Sequence, residues 1–425
     1  MKVLFTPITS SSIAHTIRCF SVADVLESRG HEVYFTSCNR RYDFIKNSGY
    51  KVVSVYPEIN VNDPDDQSVN FLASKQDKIY EWFSSEIKAT KEIKPDVVVS
   101  APAIFGPYVY YATGIPVVSI MDIQYLGDYS KGLMGISLST ERMKDKLLNW
   151  FLRPIFEKKF IILYLNEIMK VYKRLGIRWD FESRNEVYKP MGVIIPSDRY
   201  TQPPRGRRNN MYYVGPIFWE GFEKMDTGIT EDTIVKFKGN DKLIYLMFGG
   251  SIFDKDIYEK LINIIFKLNY KCIVGLGPNF DTNQFKIESD RLIIRKYVPG
   301  MHLSKLCDLS INTGSQGTVM QGLWWGKPQI AIPLLMDQAF YANRLEEMNL
   351  GINANPKSIL KFSKRENFSI FNKDTISKVE KGISKIFEDD LYFKRARRFK
   401  LLLRKYKNPA KKASILIENF VKVCS

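Results

Sequence analysis

Short runs of Val, Ile, Leu and Phe recur along the chain, and between them lie longer stretches where apolar residues return every three or four positions. The short runs predict strands at residues 2–5, 32–36, 52–55, 96–100, 116–120 and 193–195. A second series follows at residues 243–248, 271–276, 292–297, 309–311 and 329–332. The helical period is clearest over residues 16–28 and 77–93. Strands that are apolar at nearly every position are buried on both faces, so strands alternating with helices predict parallel sheets covered by helices on both sides.

Because the alternation stops and restarts, the chain reads as two successive α/β domains. Its 425 residues are also too many for one ordinary core and suit two domains of roughly 200 residues each. The reading places the boundary just after Tyr212-Tyr213-Val214-Gly215-Pro216, with a first domain over residues 1–215 and a polar linker over 216–240. The second domain then covers 241–405, and a basic helical tail covers 406–425. Residues 201–210 read as a Pro/Gly/Arg/Asn-rich surface loop and residues 60–70 as an acidic loop. Residues 130–185 read as a helical insertion rich in aromatic residues and lysine. Its aromatics (Trp150, Phe151, Phe156, Phe160, Tyr164, Tyr172 and Trp179) suit a core, an apolar acceptor pocket or a face resting on a membrane.

Composition narrows the chemistry. Five cysteines and three histidines lie scattered without metal-ligand spacing, so neither a structural zinc site nor a disulfide framework is expected, and a reducing cytoplasm fits best. Met1 leads directly into a strand rather than a signal peptide, and the apolar run at 160–165 is too short to span a bilayer. The net charge of +17 asks for an anionic partner. No zinc-finger or RRM-type motif accompanies it, so nucleic acid is not expected. The basic residues gather at 144–178 and 393–412, either as solvated faces or as peripheral contacts with an anionic membrane.

The most specific local pattern is Asn312-Thr313-Gly314-Ser315-Gln316-Gly317-Thr318, followed by Pro328 and then Asp337-Gln338. An apolar strand runs into a Gly/Ser/Thr turn that opens a helix ending near Gly326. Unpaired amides and the positive end of a helix dipole then point at one spot, where a phosphate can sit. The hydroxyls of Ser315 and Thr318 add donors. A second strand delivers Asp337 and Gln338 to the same rim, suited to sugar hydroxyls. On the first domain, His15 follows the loop after the first strand, at the sheet edge where open α/β sheets bind ligands. It reads as a general base or as a helix-capping residue. Asp122, after the strand at 116–120, is the candidate to orient that imidazole. Asp24 sits mid-helix and suits that partner role less well; His31 reads as structural, His302 as a helix cap, and Asp63-Pro64-Asp65-Asp66 as a surface loop rather than a metal site.

The run from Cys307 to Ile352 resembles the donor segment of GT-B nucleotide-sugar glycosyltransferases, above all the macrolide and UDP-glucuronosyltransferase-like group, with more distant kinship to the MurG type. There the turn reads His-Gly-Gly-x-Gly-Thr, and Thr313 stands here in the place of the histidine. Phe248-Gly249-Gly250-Ser251 resembles the Gly-Ser turn ending the first donor-domain strand, and Tyr297-Val298-Pro299 the turn that flanks the donor base. The opening through Ala14-His15 and Arg29-Gly30-His31-Glu32-Val33 resembles the acceptor domain. The resemblance implies two Rossmann-like domains facing across a cleft, with a final helix crossing back to the first. It also implies an inverting, metal-independent, cofactor-free enzyme moving a sugar from an NDP-sugar, UDP by family frequency, to a small apolar or lipid-like acceptor. By it, His15 is the base, with Gly249, Ser251, Tyr297, Val298, Thr313, Gly314, Ser315, Gly317, Thr318, Asp337 and Gln338 on the donor. The competing expectations are a UDP-sugar epimerase of the same fold and a non-catalytic partner subunit.

Overall fold

The computed structural model describes residues 1–7, 13–56, 76–101, 106–129, 168–178, 188–204, 208–221, 227–251, 254–355 and 373–424. The acidic loop at 60–70, Asp63 to Asp66, and the insertion apart from residues 168–178 lie outside them. The chain divides into two compact units. One holds the N-terminal half to Trp219 together with Asn408–Ser425, and the other holds Glu220–Lys407.

In the first unit the described strands form a parallel sheet in the order β3-β2-β1-β4-β5-β6-β7. They are β1 (Lys2–Pro7), β2 (Glu32–Ser37), β3 (Lys51–Ser54), β4 (Val97–Ala101), β5 (Val117–Ile120), β6 (Gly192–Ile195) and β7 (Met211–Tyr213). Their connections include α1 (Ile13–Ser28), α2 (Asn39–Asn47), α3 (Gln76–Ile93) and α4 (Pro107–Thr113). Strand order runs outward from β1 in one direction and then restarts beside it at β4, so the β1/β4 junction is a topological switch point. The core is aromatic: Phe5 stacks on Phe35 with centroids 5.0 Å apart, and Phe20 meets Phe35 edge-on at 5.3 Å. Tyr172, from the aromatic insertion, is buried and meets Phe83 edge-on.

In the second unit the order is β10-β9-β8-β11-β12-β13, again all parallel. The strands are β8 (Leu243–Met247), β9 (Lys271–Gly275), β10 (Leu292–Arg295), β11 (Leu309–Asn312), β12 (Gln329–Ala331) and β13 (Gly351–Asn353). The helices are α5 (Glu231–Lys238), α6 (Asp256–Lys267), α7 (Gly300–Leu306), α8 (Gln316–Trp325), α9 (Met336–Glu347), α10 (Lys373–Glu388) and α11 (Asp390–Leu403). Its switch point is the β8/β11 junction. There Met247 pairs with Asn312, so the segments leaving both strands depart side by side from the carboxyl edge.

Several elements differ from the sequence expectation, among them the three-residue β7, where only a domain boundary was expected. The segment read as linker contains α5, because Thr230 caps it through the amide of Thr233 and Ile234 is buried with Tyr245 and Leu303. The three-residue β13 is too short to leave a hydrophobic signature. The last helix, α12 (Pro409–Cys424), packs on α1 and buries Ala413 and Ile417 in the first unit's core. Glu418 holds it there. The Arg29 guanidinium donates two bonds to this carboxylate at 2.6 and 2.8 Å, and His31 Nε2 lies 2.8 Å from it.

Candidate functional site

The donor-side elements come together at the second switch point. Gly314 sits at φ +80°, and a Cβ there would meet the carbonyl oxygen of Gln338 at 2.7 Å. Glycine is therefore demanded by backbone conformation and by the close approach of α9, which brings the turn and the Asp-Gln pair together. Gly317 is different: among the described residues, a Cβ there would have nothing within 4 Å. Among the described residues this side of the first turn of α8 is open, and Ser315 provides no side-chain cap. The first-turn amides of Gly317 and Thr318 have no partner within the helix, and the helix dipole adds positive potential at the same place. Ser315 Oγ and Thr318 Oγ1 lie 3.1 Å apart beside them.

The turn is held by residues whose role the sequence pattern did not reveal. Asn312 Oδ1 accepts from the amide of Gly314 at 2.7 Å, and its Nδ2 donates to Gln329 Oε1 at 2.9 Å. Gln329 Nε2 in turn donates to the carbonyl of Val319 at 2.9 Å. This buried network locks the turn and commits the Gly314 amide, leaving the anion-binding role to the amides further along α8. A polar residue inside each of two short apolar strands was the available signal, but the pairing of β11 with β12 is what turns them into a network.

Other donor-side candidates have distinct placements. Gly249 follows β8 at φ +59°, and a Cβ on Gly277 would meet its carbonyl oxygen at 2.7 Å, so Gly277 is a second, unanticipated requirement of that turn. Ser251 closes the short 3-10 segment of the turn. Tyr297 is 43% exposed, available for stacking, whereas Val298 is buried with Tyr245, Ile273 and Leu303 and shapes the turn from beneath. Thr313 is likewise buried. Asp337 lies in the first turn of α9, half-buried. Gln338 is buried and its Oε1 accepts from the amides of Leu334 and Leu335, at 2.9 and 3.1 Å. That oxygen shapes the entry to α9 rather than being open to a sugar.

On the first unit, His15 stands in the first turn of α1, just beyond the β1/β4 switch point. Its residue surface is half-buried, but Nδ1 is fully shielded and has no hydrogen-bond partner among the described residues. Burial, and secondarily the Arg18 guanidinium, push its pKa down to about 3, so the imidazole is neutral at physiological pH. The expected pairing with Asp122 is not made in this structure. Asp122 follows β5, separated from β1 by β4, and two strand spacings amount to roughly 10 Å. Its Oδ1 accepts from Gln202 Nε2 at 2.9 Å. Nearby, Gln124 is buried with neither end of its amide bonded among the described residues.

No protein-family model matches the chain. It is 24% identical over 340 residues to an uncharacterized glycosyltransferase of Methanosarcina mazei, covering 78% of this chain and 79% of that protein. It is 20% identical to the NDP-glycosyltransferase YjiC of Bacillus subtilis, covering 83% and 84% respectively. Among solved structures, the kitacinnamycin glycotransferase superposes with a TM-score of 0.70 at 15% identity, over 99% of this chain and 98% of that one. The fold is that of the GT-B glycosyltransferases.

Proposed function

We propose that this glycosyltransferase moves a sugar from a nucleoside diphosphate donor, UDP first among the candidates, to a hydroxyl of a small apolar or lipid-like acceptor, inverting the anomeric carbon without a metal. The observation that carries the reading is the pair of turns leaving the β8/β11 switch point, with no atom of the described residues within 4 Å of where a Cβ on Gly317 would stand, beside the first amides of α8. The acceptor oxygen attacks the anomeric carbon as the bond to the diphosphate breaks, and the nucleoside diphosphate departs as an anion. Amides and helix dipole at the start of α8 stabilise that developing charge, the task a divalent cation performs elsewhere. Asp337 reads the sugar hydroxyls, and Tyr297 offers its exposed ring to the base.

His15 takes the acceptor proton on Nε2. That tautomer requires a proton on Nδ1, and a buried N–H without an acceptor is costly. The mechanism therefore assigns the Asp122 carboxylate to approach Nδ1 once an acceptor is bound, restoring basicity to an imidazole that burial has weakened. General-base help contributes about 10²–10⁴-fold. The test is His15→Ala, assayed for transfer and for nucleotide affinity by calorimetry with UDP and dTDP. Lost transfer with unchanged affinity is expected. Full transfer activity removes His15 from the mechanism, and no binding of either nucleotide removes the donor site.

A further inference from the structure

We propose that the outward face of α11 docks on an anionic phospholipid surface. The inward face buries Tyr392, Ala396, Phe399 and Leu403, and α8 lies so close that a Cβ on Gly326 would sit 3.1 Å from Arg397 Cα. The outward face centres on Leu401, which is 66% exposed. At 100° per residue, its surface neighbours are the residues three and four positions away. These are Arg397, Arg398, Arg404 and Lys405, all exposed cations. Among the described residues none of the four has a carboxylate partner, and Asp390, at the start of the same helix, faces Lys394 at 3.7 Å. Arg404 lies over Trp324 and Trp325, 4.1 and 4.7 Å from their ring centroids, which widens the patch into basic and aromatic surface.

Cations without a carboxylate partner among the described residues, set around an exposed apolar side chain, fit an interface whose outer layer is anionic and whose interior is hydrocarbon. A nucleic-acid backbone would use the charges and leave Leu401 in water. None of the described helices is long and apolar enough to cross a membrane, so this contact lies at the surface. It stands independently of the reaction proposed above.

The test is co-sedimentation of the full chain with phosphatidylcholine vesicles containing 30% phosphatidylglycerol, against pure phosphatidylcholine. Binding is expected only with the anionic lipid and should weaken with salt. At roughly fivefold per cation, Arg397→Ala/Arg398→Ala should cut partitioning by about 30-fold. Leu401→Ser should weaken it by several-fold while the melting temperature, read in parallel, stays near that of the parent. Failure of the parent to bind anionic vesicles overturns the proposal, as does unchanged partitioning of the double variant. A Leu401→Ser protein that keeps full vesicle binding, with duplex DNA of equal charge competing, would show a polyanion surface instead.

Discussion

Substituting Gly317 and Gly314 separately distinguishes a ligand's space from the protein's own. Gly317→Ala adds a methyl group that meets no atom of the described residues within 4 Å, in a residue whose φ is not positive. Alanine is favoured over glycine in helices by up to about 1 kcal/mol, less in a first turn, so stability should hold or rise. The same methyl stands beside the amide proposed to grip the diphosphate. Losing that approach should weaken UDP or dTDP binding about 10- to 100-fold, or about 1.4–2.8 kcal/mol. Gly314→Ala behaves differently, because it forces a left-handed conformation of about 1–3 kcal/mol strain and drives a methyl to 2.7 Å from the Gln338 carbonyl. A domain of this size loses about 2–4 °C in Tm per kcal/mol, so Gly314→Ala should melt clearly lower and bind worse. Calorimetric titration alongside thermal melts reads both quantities. If Gly317→Ala binds nucleotide as tightly as the parent, no diphosphate sits on these amides.

Further expectations concern the first unit. Asp122→Asn should lower kcat by 10-fold or more with nucleotide affinity unchanged, since Asp122 acts only through His15; an unaltered kcat on a good acceptor would contradict the assigned approach. The depressed His15 pKa means that the unfolded chain takes up a proton below about 6.5 that the folded chain refuses until about 3. Stability should therefore fall as pH drops through that window, and less steeply in His15→Ala, as measured by urea unfolding across the range. Glu418 has a linkage of the same sign in a more acid window, its pKa held down at about 2 chiefly by hydrogen bonding to Arg29, so that its stabilisation is lost as pH falls. Glu418→Gln should cost about 1.5–3 kcal/mol at neutral pH. That deficit should shrink as pH falls from about 4.5 through 2, and a pH-independent deficit would indicate packing rather than charge.

Much of the donor turn was legible because its requirements are local. Glycines at 314 and 317, hydroxyls at 315 and 318 and a following helix form one contiguous run, and strands buried on both faces announce parallel sheets without reference to partners. What sequence could not supply was which glycine serves the fold and which the ligand. That difference depends on where α9 passes, and nothing near Gly314 in sequence encodes the position of the Gln338 carbonyl. For the same reason Asn312 and Gln329 became the turn's braces only once β11 lay beside β12, and Gln338 was committed to its own helix entry.

The alternation of apolar runs, a property of the chain alone, determined two α/β units and put His15 and the Gly-rich turn just past strand ends. Tertiary structure alone decided the strand order, and with it the switch points where both candidates lie. It also decided that β4 stands between His15 and Asp122, and that burial strips the imidazole of its usual basicity. Hydrophobic periodicity records only that a residue is buried; which neighbour buries it is a matter of long-range pairing, and the chemistry of a buried group is set by that neighbour.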